Sequence, residues 1–322
     1  MHCTKILLFI LTNFLFCGVF ASESYLQVVQ NPTTQTECLQ VAIRTLEIPN
    51  TRHRIQLVGV SHIGSRAYYE EVQSLLNKAD VVLFEGVDGD RAAFRAAGKE
   101  KAPERSTLQA NLARSLGLAF QLHVIDYSPE HFMNSDVSSR QLLALFEGRE
   151  LPEKEEDAKE HLEHLLQTME QTTVTGQLGA AVLDFLEQRP GWSRGMRWAM
   201  VHTLGSVQGD LSTYAGLPES MRVFMEVLID RRNDVVLSDI REQVATLEEG
   251  GTIAVFYGAA HMYDFHERLM QEYGAEEVDV TWKNAFCANL QRSGLNVIQK
   301  QAVRWFVFQQ VRTLQVMSGQ SN

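Results

Sequence analysis

The sequence predicts an α/β fold: two related β/α halves with mostly parallel, buried strands, plus a helical cap insert. Three observations lead there. Residues 54–60 (RIQLVGV) and 80–87 (DVVLFEGV) are short apolar runs rich in branched residues, as strands buried on both faces are. Between them Ala67, Tyr68, Val72, Leu75 and Leu76 fall at helical spacing, which completes a right-handed βαβ unit with parallel strands. The segments IQLVGVSH (55–62) and IAVFYGAAH (253–261) share one pattern: apolar strand, Gly, two residues, His, then an amphipathic helix. They lie about 199 residues apart, and two copies do not make a tandem array.

Taken in order, the chain opens with Lys5, an apolar run over residues 6–20 and Val19-Phe20-Ala21, the layout of a secretory signal peptide spanning 1–21. The run is interrupted at Thr12-Asn13 and is shorter than the ~20 residues a spanning helix needs. Bulky Phe16 before Cys17 does not suit a lipoprotein signal. Alternation over residues 38–48 predicts a first strand, and 108–121 a helix. Residues 122–128 (LHVIDYS) read as a third strand of the sheet, ending near Asp126. From about 136 to 250 the pattern is helical, including a charge-dense stretch at 151–171 that reads as a solvated face. A strand over 252–261, a helix over 263–274 and a strand over 276–282 follow, and residues 302–311 form an amphipathic element. Residues 22–322 thus read as a single domain with its helical insert at about 136–250.

Composition narrows the function classes. With 45% hydrophobic and 21% charged residues the 322-residue chain is ordinary globular material, and no second apolar segment is long enough to span a membrane. The net charge is −11, or −12 once residues 1–21 and their single lysine are removed, which disfavours nucleic acid and anionic lipid as partners. Cys38 and Cys287 would then be the only cysteines, either as one disulfide closing nearly the whole chain or as two free thiols.

Ligands in open α/β sheets bind outside the carboxyl ends of the strands. His62 stands three residues after Gly59 at one such end, Glu85 follows VVLF at the next, and His261 stands three residues after Gly258 at the repeat strand. Glycine at both turns tolerates unusual dihedrals and lets other groups approach the backbone. Two imidazoles and a carboxylate are a common set for a divalent metal with open positions. Arg231, Arg232, Asn233 and Asp234 interrupt an apolar helical run, so Arg232 and Asn233 are candidates to reach the same crevice and hold a carbonyl or orient Glu85. His161 and His164 fit a solvated helix face, His266 points away from His261, His123 and His202 fit packed positions, and His53 and His131 have no partner pattern.

These residues, GVSH (59–62), LFEG (83–86), RRN (231–233) and YGAAHM (257–262), occur in the order of a known family. Over about residues 39–285 the chain resembles the TraB/TIKI/GumN-type proteins, more distantly related to erythromycin esterases and ChaN-like haem-binding proteins. The resemblance implies that His62, Glu85 and His261 are the site and that Arg232 and Asn233 belong to its wall. It further implies an exported (periplasmic or secreted) metal-dependent hydrolase, with a Mn-, Co- or Zn-like divalent ion, cleaving a peptide or a small ester or amide. In that scheme the ion is held by His62, His261 and Glu85, or Glu85 is instead the general base, and Arg232 stabilises the oxyanion. The alternative is a non-catalytic peptide-sequestering or haem/iron-binding protein using the same crevice. The chain departs from the family at the rim, where Tyr263-Asp264 follows His261-Met262 in place of a Leu-Gly or Val-Gly turn, and it has no C-terminal membrane anchor.

Overall fold

The structure is a computed structural model, and it describes residues 24–86, 108–137, 183–209, 214–217, 222 and 225–319. The segment 1–21, expected to be a signal peptide, and His161 and His164 lie outside the described residues. Nine strands are described: β1 (Leu26–Asn31), β2 (Thr36–Glu47), β3 (Arg54–Val60), β4 (Ile63–Gly64), β5 (Val81–Phe84), β6 (Ala119–Phe120), β7 (Phe132–Asn134), β8 (Thr252–Gly258) and β9 (Glu276–Ala288). The helices that matter below are α1 (Arg66–Leu76), α2 (Leu108–Ser115), α3 (Pro190–Leu204), α4 (Arg231–Thr246), α5 (Met262–Tyr273) and α6 (Val297–Met317).

The central sheet has seven strands in the order β1-β2-β3-β8-β5-β7, with β9 on the other edge of β2. β3, β8, β5 and β7 pair in parallel, while β2 pairs antiparallel with β1, β3 and β9. Every strand of this sheet except β2 therefore points the same way, and the fold is mixed α/β with a mostly parallel sheet.

Strand parity sorts the core into two layers. Val58 and Val60 of β3, Val82 and Phe84 of β5, and Ala254 and Phe256 of β8 face one side, with Tyr69 of α1, Trp198 of α3 and Val307 of α6. Ile55, Leu57, Leu83, Val255 and Tyr257 face the other, against Leu237 of α4 and Phe265 of α5. Burial on both faces explains the apolar runs 57–60 of β3, 81–84 of β5 and 253–257 of β8, while Arg54, Gln56 and Thr252 nearer the strand starts stay partly in water. Local signals fix the helix ends. The Ser65 hydroxyl accepts from Tyr68 N–H at the start of α1, Asn296 and Gln299 form a capping box on α6, and Gly274 takes φ 59° to end α5.

Three expectations change. The segment 122–128 is not a strand: Gln121–His123 forms a 3-10 turn, in which Val124 and Ile125 N–H both donate to the Gln121 carbonyl, and the parallel neighbour of β5 on the side away from β8 is the three-residue β7. His123 is exposed, edge-on to Phe120, rather than packed. The helices of the 136–250 region that are described do not form a separate cap, because α3 and α4 pack on opposite faces of the sheet and belong to its two core layers. The two Gly-x-x-His strands do lie side by side, with Gly59 paired to Tyr257 and Val60 to Gly258. Beyond them the chain diverges. β3 turns into β4, which pairs with β6, whereas β8 runs through a 3-10 turn directly into α5.

Cys38 and Cys287 are joined by a disulfide 249 residues apart in sequence. They are direct cross-strand partners of β2 and β9, so the bond clamps the strand that runs against the rest.

Candidate functional site

The carboxyl ends of the four adjacent parallel strands each deliver one ionisable residue to one place. His62 follows β3, Glu85 follows β5, His261 follows β8 and Asp136 follows β7. Arg232 reaches the cluster from the first turn of α4. The sequence pointed to four of these five; Asp136 stands out only in three dimensions.

Arg232 is the hub. Its Nε and Nη2 donate to Asp136 Oδ1 and Oδ2 at 2.9 and 2.8 Å, a two-pronged fork. Nη2 also donates to Glu85 Oε1 at 2.6 Å, and Nη1 to the Leu228 carbonyl at 3.3 Å. Leu228 lies on a π-helical turn, Glu226–Asp230, that leads into α4. Side-chain exposure is 7% for Arg232, 13% for Glu85 and 0% for Asp136. Arg231, by contrast, faces outward and pairs with Glu226 and Asp234.

One guanidinium faces two carboxylates, so the cluster keeps a surplus of negative charge. Burial by itself raises the Glu85 carboxyl, but Arg232 and the two imidazoles outweigh it and hold the group well below the usual carboxylate range. Burial raises Asp136, and Arg232 offsets this only in part. The two acids thus share one cation, which forks onto Asp136 through Nε and Nη2 and reaches Glu85 through Nη2 alone.

Both histidines are oriented by side-chain amides. Asn233 Nδ2 donates to Asp264 Oδ2 at 2.8 Å and to the His261 carbonyl at 3.3 Å, which leaves Asn233 Oδ1 to accept from His261 Nδ1 at 2.7 Å. His261 must then carry its proton on Nδ1 and present the Nε2 lone pair inward. Likewise Gln121 Nε2 donates to the Tyr127 hydroxyl, and Gln121 Oε1 faces His62 Nδ1 at 3.0 Å. His62 Nε2 lies 3.9 Å from Glu85 Oε2, and His261 Nε2 lies 3.9 Å from Glu85 Oε1. Burial lowers His261 to a pKa of about 3, with Arg232 adding to the fall and Glu85 opposing it, so this imidazole is neutral at pH 7. His62, with 42% of its side chain exposed, forms the mouth of the site.

The two glycines turn out to matter for space rather than for dihedral freedom, since neither adopts a positive φ. A Cβ on Gly258 would sit 3.1 Å from His62 Nε2 and 3.3 Å from Glu85 Oε2, and the Gly258 N–H donates to Glu85 Oε2 at 2.8 Å. Gly258 is therefore part of the site floor. Gly59 lies beneath the site, where a Cβ would meet Val41, the Ala42 carbonyl and Met262.

The crevice above this cluster encloses about 460 Å³ and is lined by His62, Glu85, Arg232, Gly258 and His261 together with mostly apolar side chains. The donor chemistry suits a divalent cation in one respect: two fixed imidazole lone pairs face a cluster with surplus negative charge, although that of His261 already meets Arg232 Nη1 at 3.5 Å. Glu85 fits less well as a third ligand, because Arg232 and the Gly258 N–H already engage its two oxygens. Among the described residues no three His, Cys, Asp or Glu side chains gather into a complete metal cage. Asp136, Gln121 and Tyr127 escaped sequence reasoning; the only hint of Gln121 was the polar residue inside LAFQLHVI. No family model, curated protein or solved structure matches the chain.

Proposed function

We propose that the chain is an exported, metal-dependent hydrolase of the TraB/TIKI type, cleaving a peptide or a small ester or amide. One observation carries this reading: two imidazoles with amide-fixed tautomers turn their lone pairs toward a buried Glu85–Arg232–Asp136 cluster that is short of one positive charge. His62 and His261 would hold a Mn-, Co- or Zn-like ion, and Glu85 would act from outside its ligand shell. When bound, such an ion supplies activated water near neutral pH and polarises a carbonyl.

The chain's own residues have separable tasks. Asn233 and Gln121 hold the ring planes, and the Asp264 carboxylate in turn fixes the Asn233 amide. Glu85 is better suited to holding charge than to carrying a proton, because its proton affinity is lowered and both oxygens are engaged. Arg232, bonded to two carboxylates, sets the position of Glu85, and its Nη1, 3.5 Å from His261 Nε2, would be the donor available to an oxyanion formed beside that ring. Export is supported by the Cys38–Cys287 disulfide, since such bonds persist in oxidising compartments. No helix among the described residues is long and apolar enough to cross a membrane.

A second reading, a non-catalytic sequestering protein, is favoured by the same engagement of Glu85, which leaves no free carboxylate base among the described residues that line the crevice. Metal analysis of wild type beside His62→Ala and His261→Ala separates the two, together with turnover of a peptide and ester panel with Mn, Co or Zn added. Loss of metal and turnover in both variants supports the hydrolase. Equal metal content in all three proteins removes the shared-ion idea, and metal without turnover leaves sequestration.

A further inference from the structure

The crevice is two-toned, and its larger part has no role in the chemistry just described. At the strand ends it is polar. Away from them its walls are Val60, Leu112, Met200, Leu204, Leu228 and Ile229, contributed by β3, α2, α3 and the π-helical turn. These elements pack separately into the core, yet Leu112, Met200, Leu204 and Leu228 stay only half-buried where they line the space. Of the polar side chains along this stretch, the Tyr25 hydroxyl meets His266 Nδ1 at 3.1 Å and the Ser61 hydroxyl donates to the Ile63 carbonyl at 2.8 Å, while the Gln109 amide also lines the space.

We propose that this apolar part is an acyl-chain channel, and that the substrate is an ester or amide of a linear, medium-length fatty acid with its carbonyl at the His62–His261 end. The inference rests on the hydrolase reading only for the fate of the scissile bond; the channel itself is a statement about binding. A buried peptide segment requires a partner for each backbone N–H and C=O, and an unpaired one costs about 1–3 kcal/mol, equal to a roughly 5- to 150-fold loss of affinity. The wall offers side-chain methyls and methylenes instead, and two methionines, Met200 and Met225, give it an adaptable surface. Hydrolysis would break the acyl C–O or C–N bond. Water oxygen would go to the carboxylate, one water proton to the leaving alcohol or amine, and the other to solvent.

The test uses the full purified chain with two readouts. In the first, cis-parinaric acid fluorescence is titrated and then competed with acetate, octanoate, decanoate and an apolar octapeptide. In the second, p-nitrophenyl esters of two to twelve carbons are assayed with added Mn, Co or Zn. The expected result is saturable parinarate binding displaced by decanoate, and kcat/KM rising by up to about fourfold per methylene until the channel is full. Leu204→Trp, which fills the channel away from the polar end, would shorten the preferred chain; Leu204→Phe, a smaller change, would shift it less and guards against a misfolded first variant. If parinarate does not bind and esters are hydrolysed without regard to length, the channel is wrong and the hydrolase stands. If parinarate binds and is displaced by decanoate but nothing is hydrolysed, the channel stands and the hydrolase falls. Displacement by the octapeptide and not by decanoate overturns the acyl assignment.

Discussion

Replacing Arg232 by Met removes the one cation from a buried cluster of two carboxylates while keeping most of the side-chain length. The Glu85 and Asp136 side chains are 13% and 0% exposed, so water cannot replace the three short hydrogen bonds they lose. Breaking a buried ion pair by removing one partner costs about 3–5 kcal/mol, and that range is the expected loss at pH 8. The pH dependence is the sharper signature. In wild type Glu85 is held below its unfolded value, so it stabilises the fold above a pH of about 4.3 and that contribution fades as pH falls through the folded value. In Arg232→Met only burial and mutual repulsion act, both carboxyls rise above their unfolded values, and the folded state takes up protons that the unfolded state does not. The deficit against wild type should therefore shrink as pH drops from 8 toward 5. His261, relieved of a neighbouring cation, moves in the same direction. Urea unfolding of both proteins at pH 8, 7, 6 and 5 measures this. A deficit under about 1 kcal/mol at pH 8, or one that stays constant on acidification, would refute the buried-cluster argument.

His261 gives a second titration: it is neutral in the fold down to about pH 3 but protonates near 6.5 when unfolded, so wild type should lose stability below pH 6.5 at up to about 1.4 kcal/mol per pH unit. In His261→Gln that slope should fall by up to one proton, and an unchanged slope would show the ring is not buried neutral. Asn233→Leu frees the His261 tautomer and should lower metal affinity or turnover by about 10- to 100-fold, read by metal titration. Gly258→Ala pushes on His62 and Glu85 and should cut turnover with little change in unfolding free energy. Gly59→Ala meets a backbone carbonyl at 3.2 Å and should cost about 1–3 kcal/mol of stability instead. Cys38→Ser should lower stability by about 2–5 kcal/mol in denaturant titrations, and reducing agent should then have no further effect.

The parts of the fold that could be read from sequence were those with a strong period. β3, β5 and β8 are buried on both faces and α1 and α5 have a clear apolar stripe, so their chemistry repeats often enough to be recognised. Their ends carry His62, Glu85 and His261, which is why those residues were found. β7 has three residues, too few for any period, and Asp136 directly after it sits in no motif; only its position beside β5 makes it a partner of Arg232. Residues 122–128 misled because LHVI looks like a strand. Its Leu122 is in fact exposed and its turn is shaped by Gln121, whose backbone N–H bonds the His62 carbonyl and whose side chain bonds the His62 ring. Glycine was read as serving both dihedral freedom and close approach, and only the second applies at Gly59 and Gly258, a distinction that depends on which atoms arrive from other elements.

β2 depends on a partner that is made more than two hundred residues later. During synthesis its outer edge stays open until β9 has been completed, and an unpaired strand edge invites association with other chains. So late a closing contact slows folding, because the long intervening chain must be ordered first. If the chain is exported as proposed, crossing the membrane as an unfolded thread, the delay would be useful: the sheet could not shut early and jam the passage. Under the proposed export, oxidation of Cys38 and Cys287 after crossing would convert this late contact into one that cannot be lost by fraying, and the oxidising power of the destination would become part of the folding instruction.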